Sequence, residues 1–334
     1  MPQVIDPKLA RLLDVAPGLS RALRDLPMQA LDIGARRGFA DDLLPLAPAI
    51  DGIAFEPDVG ECEALNAEVM RGQLPWRSLR FIPSALGPDN SDAKLNLYRQ
   101  RGCSSLLEAV PQLAAQFSRN DDYILEDTVS VTMMGLDEAA QRYSFKDAVF
   151  MKIDVQGFER EIFKTGEALL SGPMLAVRSE VTAIPLYRDM PLIEDIIVQM
   201  RRFGFLPMSF EELHHWRRST QVKHPRLSGG SIPYSRGQLI HGDILFFRDP
   251  DTLPDEAETL LKAAFFALAY GHIDHAVNLM QIPTASRWLW ERYKLDPMAE
   301  LGAISRRHLK LHRKQIRRQK MADRLFRIRQ FVGN

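Results

Sequence analysis

Between residues 27 and 248 the hydrophobic positions gather in short, nearly continuous runs, separated by stretches with helical spacing. Continuous runs are what strands buried on both faces require, and strands alternating with helices build a parallel sheet. The runs predict strands over 27–31, 53–55, 79–83, 94–98, 128–133, 148–153, 174–180, 205–210 and 243–247. The last two read as a closing antiparallel pair. The helical spacing predicts two short helices within 7–26, then helices over 39–46, 61–70 and 135–143, and another entered at Glu159. An amphipathic helix over 191–203 is stopped by Gly204. Pro45 and Pro48 close the helix at 39–46 early. Asp249, Pro250 and Asp251 mark a boundary, and from 256 to the end the pattern is helical.

Four of the runs end on an acid: Asp32, Glu56, Asp154 and Glu180. Open α/β sheets bind ligands beyond the carboxyl ends of their strands. The first run enters the turn Asp32–Ile33–Gly34–Ala35–Arg36–Arg37–Gly38, where Gly34 and Gly38 permit a tight turn and close approach by a ligand. Arg36 stands where the dinucleotide fingerprint needs its second glycine, and no phosphate-cradling G-K-[ST] loop occurs. What remains is a turn with an acid at its start, suited to a cationic or amino-acid-like ligand. Glu56 follows about 20 residues later, where doubly wound folds place the acid that binds a ribose diol. A plain surface glutamate is the alternative. Lys152 lies inside an apolar run and needs a partner, for which Glu159 and Glu180 are the candidates. Ser104 and Ser105 either donate to a ligand or cap a helix that follows.

The length of 334 residues suits one large domain with an appendage, or two domains. Two cysteines, Cys62 and Cys103, argue against a disulfide framework and fit a reducing cytoplasm. Neither has Cys or His neighbours at zinc spacing, so no zinc site is indicated, and no spacing demands a divalent metal at Asp154 and Glu180. Residues 1–18 lack the charged and apolar regions of a signal peptide, and no apolar run reaches the roughly 18 residues of a membrane span. The formal net charge of zero hides an asymmetry. Residues 301–334 carry eleven Lys or Arg against one acid, Asp323, leaving 32 basic and 42 acidic residues before them. Ile304, Leu311, Met321, Leu325 and Ile328 fall roughly on one helical face of this tail. Such a helix can lie on the inner face of an anionic membrane, bind nucleic acid, or dock on its own acidic body or a second subunit. Residues 211–242 form a long polar stretch holding His214, His215, Trp216 and Tyr234, read as a substrate lid in preference to an inert insertion.

The blocks Asp32–Ile33–Gly34–Ala35, Phe55–Glu56–Pro57, Ser84–Ala85–Leu86–Gly87, Leu136–Asp137 and Lys152–Ile153–Asp154–Val155–Gln156–Gly157–Phe158–Glu159, with Asn66, Ser104, Ser105, Ser179 and Glu180, resemble the FkbM-type S-adenosylmethionine-dependent methyltransferases over about residues 28–248. The family carries asparagine where Arg36 stands. The resemblance implies a class I, Rossmann-like α/β fold: a mostly parallel seven-stranded sheet flanked by helices, with one antiparallel strand. It covers a cofactor-binding domain (28–248); the N-terminal helical segment (1–27) and the helical extension with a basic tail (249–334) are read from the chain's own pattern and lie outside it. It implies S-adenosylmethionine as cofactor and a hydroxyl of a sugar, glycan or related metabolite as acceptor. Asp32 would favour the sulfonium and amino group, Glu56 the ribose, and Ser84 and Ala85 the adenine. Gly34, Ala35, Gly38, Pro57, Ser104, Ser105 and Asp154 would complete the cofactor site. Asp154 is the first candidate for general base, Glu180 the next, and His214 or His215 the outsiders. The bland alternative is that Asp154 and Glu180 only hold the sheet edge or pair with Lys152. The Asn-Pro-Pro-Tyr type of motif is absent after residue 154, which favours oxygen over a base amino group as acceptor. Two rival readings remain: a nucleic-acid methyltransferase that clamps with its tail, and a non-catalytic module dimerised through the extension.

Overall fold

A computed structural model describes residues 12–36, 38–72, 74–88, 91–219 and 236–332. Its elements run in chain order as α1 (Pro17–Arg24), β1 (Met28–Ile33), β2 (Ile50–Phe55), α2 (Val59–Met70), β3 (Ser78–Ile82), β4 (Ala85–Leu86), β5 (Asp92–Tyr98), α3 (Pro111–Ala115), β6 (Leu125–Met134), α4 (Leu136–Arg142), β7 (Phe150–Ile153), α5 (Glu159–Lys164), α6 (Glu167–Ser171), β8 (Ala176–Thr182), α7 (Ile193–Arg202), β9 (Phe205–Trp216), β10 (Gln238–Arg248), α8 (Ala257–Tyr270), α9 (Ile273–Gln281), α10 (Pro283–Tyr293) and α11 (Pro297–Val332). They form two compact units. One comprises Met28–Ala40 and Ile50–Leu253; the other comprises Met1–Pro27, Asp41–Ala49 and Pro254–Asn334.

The larger unit is built on a seven-stranded sheet of order β3-β2-β1-β7-β8-β10-β9. Its pairings are parallel except those made by β10, which runs antiparallel to both β8 and β9. This is the class I methyltransferase sheet expected from the sequence. The central strands are buried on both faces, which is why their apolar runs are continuous rather than alternating. On one face, Leu31, Ile33, Met151, Ile153 and Val177 pack with Leu136 of α4 and Phe163 of α5 in a single core. The strand order reverses between β1 and β7, and that reversal opens the crevice in which open α/β sheets take ligands.

Three side chains staple this frame, Asn66 and Asp137 from the family-like blocks and Arg248 from outside them. Asn66 on α2 donates to the Phe81 carbonyl at 2.9 Å and accepts the Phe81 N–H at 3.0 Å, tying helix to strand. Asp137 accepts the Ala168 and Leu169 N–H groups at 2.8 and 3.0 Å, capping α6. Arg248, buried at the end of β10, donates to the carbonyls of Leu170, Met174 and Phe203, three orphan acceptors near helix ends.

Several elements differ from the expectation. Residues Asp41–Ala49 form a 3-10 helix rather than an α-helix, because Pro45 and Pro48 within it supply no N–H to an i→i−4 ladder. A second, three-stranded sheet of order β4-β6-β5 joins the runs predicted at 94–98 and 128–133 to a short strand at Ala85–Leu86 that the run pattern does not predict. β9 and β10 reach Trp216 and Gln238, so 211–216 and 238–242 belong to the hairpin rather than to a lid. The pairing is bulged at His214 and His241 and at Glu212, whose φ is +50°. Bulges let a hairpin twist while keeping its pairing, which obscures its polar segment to sequence reading. Residues 220–235 of the expected lid, including Tyr234, lie outside the described residues.

In the smaller unit the first helix and the last are joined by a capping contact. Glu300 on α11 accepts the Gly18 N–H at 2.9 Å and the Leu19 N–H at 2.7 Å, satisfying the free amino end of α1. α8 is apolar nearly all round, with Leu261, Ala264, Phe265, Phe266 and Leu268 fully buried, and ends on Gly271 at φ +85°. Among the described residues, no helix is long and apolar enough to cross a membrane.

Gly34 carries the sharpest constraint in the sheet. Its φ is +86°, and a Cβ there would lie 2.0 Å from the Asp154 carbonyl oxygen. Gly38 has φ +106° but open space beside it. Gly34→Ala is therefore expected to cost at least about 3 kcal/mol in chemical denaturation, from strain and collision together. Gly38→Ala should cost about 1–2 kcal/mol, from conformation alone. Equal losses would contradict the close approach.

Candidate active site

Asp32 ends β1 with its carboxylate buried, and Lys152 stands beside it in register on β7. The Lys152 ammonium donates to Asp32 Oδ1 at 3.2 Å. Lys152 was expected to pair with Glu159 or Glu180. Residues in register on neighbouring strands point to the same face, and this makes Asp32 the partner. Burial disfavours the lysine's charge, but Asp32, with Asp154 behind it, more than offsets that and raises its pKa. After Asp32 the chain turns through Gly34 and Ala35, whose N–H groups both donate to the Phe55 carbonyl, at 3.0 and 3.1 Å. The turn is thereby anchored to the end of β2.

Glu56 follows β2 and is buried. Its Oε1 accepts the Asp58 N–H at 2.8 Å, and its other oxygen has no hydrogen bond from the described residues. Burial raises its pKa, the Asp58 amide and the nearby Arg36 opposing. Asp58 caps α2 through the Glu61 N–H at 3.2 Å and faces the Arg36 guanidinium at 3.7 Å. A buried carboxylate with one oxygen open, at the tip of the second strand, suits a pair of neighbouring hydroxyls. The partly buried Pro57 stands next to it, and the Glu56 N–H donates to the Ile82 carbonyl at 3.1 Å. Ser84 and Ala85 follow β3 directly: Ser84 is half-buried, and buried Ala85 pairs with Met133 in the second sheet.

β7 leads into a turn held by its own side chains. Gln156 has φ +56° and Gly157 φ +100°. The Glu159 carboxylate reaches back and accepts the Val155 N–H at 3.0 Å and the Gly157 N–H at 3.3 Å. Burial is the main reason its pKa rises to about 7, against the lowering effect of these amide donors. The Gln156 amide donates both to Asp154 Oδ1 at 2.8 Å and to Glu180 Oε2 at 2.7 Å. Asp154 and Glu180 thus meet across adjacent strands, bridged by one side chain. A left-handed residue such as Gln156 is uncommon and collects at functional sites.

Glu180 continues the network to His241, whose Nδ1 lies 3.2 Å from Glu180 Oε1. Burial, then the carboxylates of Asp154, Glu159 and Asp243, hold the Glu180 pKa well above the usual carboxylate range. Burial and the neighbouring His214 push His241 down to about 4. Burial thus disfavours charge on both partners, toward the carboxylic acid on Glu180 and the uncharged imidazole on His241. His214 stacks on His241 with ring centroids 4.4 Å apart, and Trp216 meets it edge-on at 6.1 Å. His215, one residue on, is exposed and takes no part in this cluster. Next to Glu180, Asp243 pairs with Arg178 at 2.6 Å, and burial raises the Asp243 pKa to about 6 despite that cation.

The two serines act on backbone. Ser105 is buried; its hydroxyl donates to the Gln156 carbonyl at 2.8 Å and accepts the Leu107 N–H at 3.0 Å. Ser104 accepts the Tyr98 N–H at 3.3 Å. Neither caps a helix, because the next one begins only at Pro111. Tyr187 donates to the Cys103 carbonyl at 2.6 Å and lies 3.2 Å from the Gln156 amide oxygen, orienting the amide that bridges the two acids. It belongs to an aromatic cluster with Tyr98 and Tyr123, ring centroids 5.9–6.5 Å apart. Gln156, Tyr187 and His241 were not singled out from the sequence as site residues. A strict reading of the hairpin register, opposing position 241 to 214, would have drawn attention to His241.

Asp32, Gly34, Ala35, Glu56 and Pro57 therefore gather at the tips of β1 and β2, and Asp154, Glu180 and His214 at those of β7, β8 and the hairpin. The model of the FkbM methyltransferase domain matches residues 32–207, more than half of the chain. The chain belongs to the FkbM methyltransferase family. The cofactor of that family is S-adenosylmethionine. No curated protein matches the chain. Among solved structures, an FkbM methyltransferase from Methylobacillus flagellatus KT is similar at 13% identity, over 66% of this chain and 43% of that one, with a TM-score of 0.37. This FkbM chain thus spans less than half of that protein's length. A magnesium protoporphyrin IX methyltransferase from Synechocystis PCC 6803 is similar at 12% identity, over 73% of this chain and 82% of that one, with a TM-score of 0.31. TehB from Haemophilus influenzae is similar at 8% identity, over 74% and 63% respectively, with a TM-score of 0.34.

Because Glu159 is buried with its pKa raised, its charge opposes folding above the ordinary glutamate value of 4.5. Between that value and about 7 the unfolded chain has released this proton and the folded chain has not, so stability falls as pH rises. Glu159→Gln keeps an acceptor for both amides without the charge. It should match the wild type at pH 4.5 and exceed it by roughly 1–3 kcal/mol at pH 8 in urea denaturation. A variant less stable at pH 8 than at pH 4.5, relative to wild type, would contradict this.

Proposed function

We propose that the protein transfers the methyl group of S-adenosylmethionine to a hydroxyl oxygen of a sugar, a glycan or a related metabolite. The observation that carries this is the pairing, at one sheet edge, of a half-satisfied buried Glu56 with the Asp154–Gln156–Glu180 bridge two strands away. The residues present fit the cofactor. Glu56 offers an open carboxylate oxygen to the ribose diol, the anchored turn at Gly34 and Ala35 brings backbone close, and Asp154 supplies negative charge toward the sulfonium. Bound there, the cofactor supplies an activated methyl carbon for in-line displacement. Asp32, with its carboxylate buried on Lys152, shapes this edge from beneath rather than by meeting the ligand. Ser84 and Ala85 flank the adenine side, and Ser104 and Ser105 support the site through backbone.

The protein's remaining tasks are orientation and proton removal. Asp154 takes the acceptor's proton. Glu180 beside it is pushed toward its uncharged form by burial and by its acidic neighbours. His214 and His241 form the wall of the acceptor side, with the aromatic cluster around Tyr187 beyond. No asparagine-proline-proline-aromatic turn follows β7, which supports oxygen rather than a base amino group as acceptor.

Calorimetric titration with S-adenosylmethionine should show binding that Glu56→Ala weakens by about 10–100-fold, the worth of hydrogen bonds to a charged group. In methyl-transfer assays on a panel of sugars and lipid-linked glycans, Asp154→Asn should lower kcat by about 10²–10⁴-fold. Absence of cofactor binding, or binding indifferent to Glu56, would overturn the enzyme reading in favour of a non-catalytic module. Turnover of nucleic acid but of no hydroxyl metabolite would overturn the acceptor class.

A further inference from the structure

Nothing in the methyl-transfer chemistry uses α11, yet its surface is sharply divided. Leu301 and Ile304 are fully buried within the smaller unit, and His308 Nε2 lies 3.0 Å from the Leu268 carbonyl of α8. Positions 301, 304, 308 and 311 share one face of the helix at three- and four-residue spacing, and that face is the packed one. Arg306, Lys310, Arg313 and Arg317 share the opposite face, at i, i+4, i+7 and i+11, and all four are exposed. The row is continued in sequence by Lys320 and Arg324. Packing of one face thus fixes the cationic row toward solvent. Leu309 and Ile316 flank the row and are exposed, at 47% and 38%. Just upstream on α10, Trp290 is 56% exposed, with the Lys294 ammonium 5.8 Å from its ring centroid.

We propose that α11 lies along an anionic lipid surface, with Arg306, Lys310, Arg313 and Arg317 on the headgroups and Leu309 and Ile316 dipping beside them. Charge complementarity calls for a polyanion: eleven cations stand against one acid over 301–334. The flanking apolar side chains choose among polyanions. A headgroup layer offers anions and an apolar boundary together, and interfacial helices combine these two kinds of side chain. A nucleic-acid backbone offers only the anions. The helix is 36 residues long, about 54 Å, and lies flat more readily on a surface than in a groove. An exposed tryptophan beside a lysine is a further interfacial pairing.

The test is sedimentation of the full chain with phosphatidylcholine vesicles, with and without phosphatidylserine. Binding should require phosphatidylserine and fall with added salt. The fourfold variant R306E/K310E/R313E/R317E should bind at least about a hundredfold more weakly, since each cation near such a surface contributes appreciably. L309S/I316S should bind about tenfold more weakly to vesicles and unchanged to duplex DNA or RNA. Both variants alter exposed positions, and unchanged circular dichroism and S-adenosylmethionine affinity would show that fold and cofactor site are intact. Three results would overturn the proposal: no preference for phosphatidylserine vesicles, duplex binding tighter than vesicle binding with L309S/I316S without effect on vesicles, or a dimer that the fourfold variant dissociates without vesicle binding. Loss of S-adenosylmethionine binding in wild type would count against the methyltransferase reading and leave this one standing.

Discussion

The structure depends on how closely the turn after β1 and the turn after β7 approach each other. Residue 34 faces the Asp154 carbonyl with no room for a side-chain carbon, and its backbone occupies a conformation that L-residues avoid. One layer below, Asp32 and Lys152 join the same two strands through their charges. Together these contacts hold the sheet's reversal point tight at its base while its rim carries Glu56, Asp154 and Glu180.

Among the described residues, that edge buries more carboxylates than cations, and its electrostatics follow from this. Lys152 serves Asp32, and Arg178 serves Asp243 and Glu212. Asp154, Glu159 and Glu180 share backbone amides and one glutamine instead. Low dielectric then forces protons onto some of them, because adjacent carboxylates cannot all stay charged. Glu159 and Glu180 rise, and His241 stays neutral against Glu180. Gln156, oriented by Tyr187, bridges Asp154 and Glu180 and keeps the two at fixed distance.

Much of the fold was legible because burial on both faces writes a strand as a continuous run, and an acid at its end marks the sheet edge. The 148–153 run and its tip at Asp154 are the clearest case. The block that follows was legible as a motif but not as a mechanism: only geometry shows that Glu159 ties down the Val155 and Gly157 amides. Ser105 reads in sequence as a ligand donor or a helix cap, and in the fold both its hydrogen bonds go to backbone. Lys152 found its partner across strands 120 residues apart, a register that the sequence does not spell out. His241 escaped for the same reason, since a bulged hairpin sets it against His214. The extension was legible as helix and as charge. That its buried face lies opposite the cations required the packing of Leu301 and Ile304.

The central claim is that one crevice, at the reversal between β1 and β7, holds the cofactor with its ribose on Glu56 and its sulfur toward Asp154. A crystal structure with S-adenosylhomocysteine tests it directly. The account predicts both ribose hydroxyls within hydrogen-bonding distance of Glu56, and the sulfur on the side of the Asp154–Gln156–Glu180 bridge. A nucleoside bound away from Glu56, or a thioether pointing away from Asp154, would contradict it.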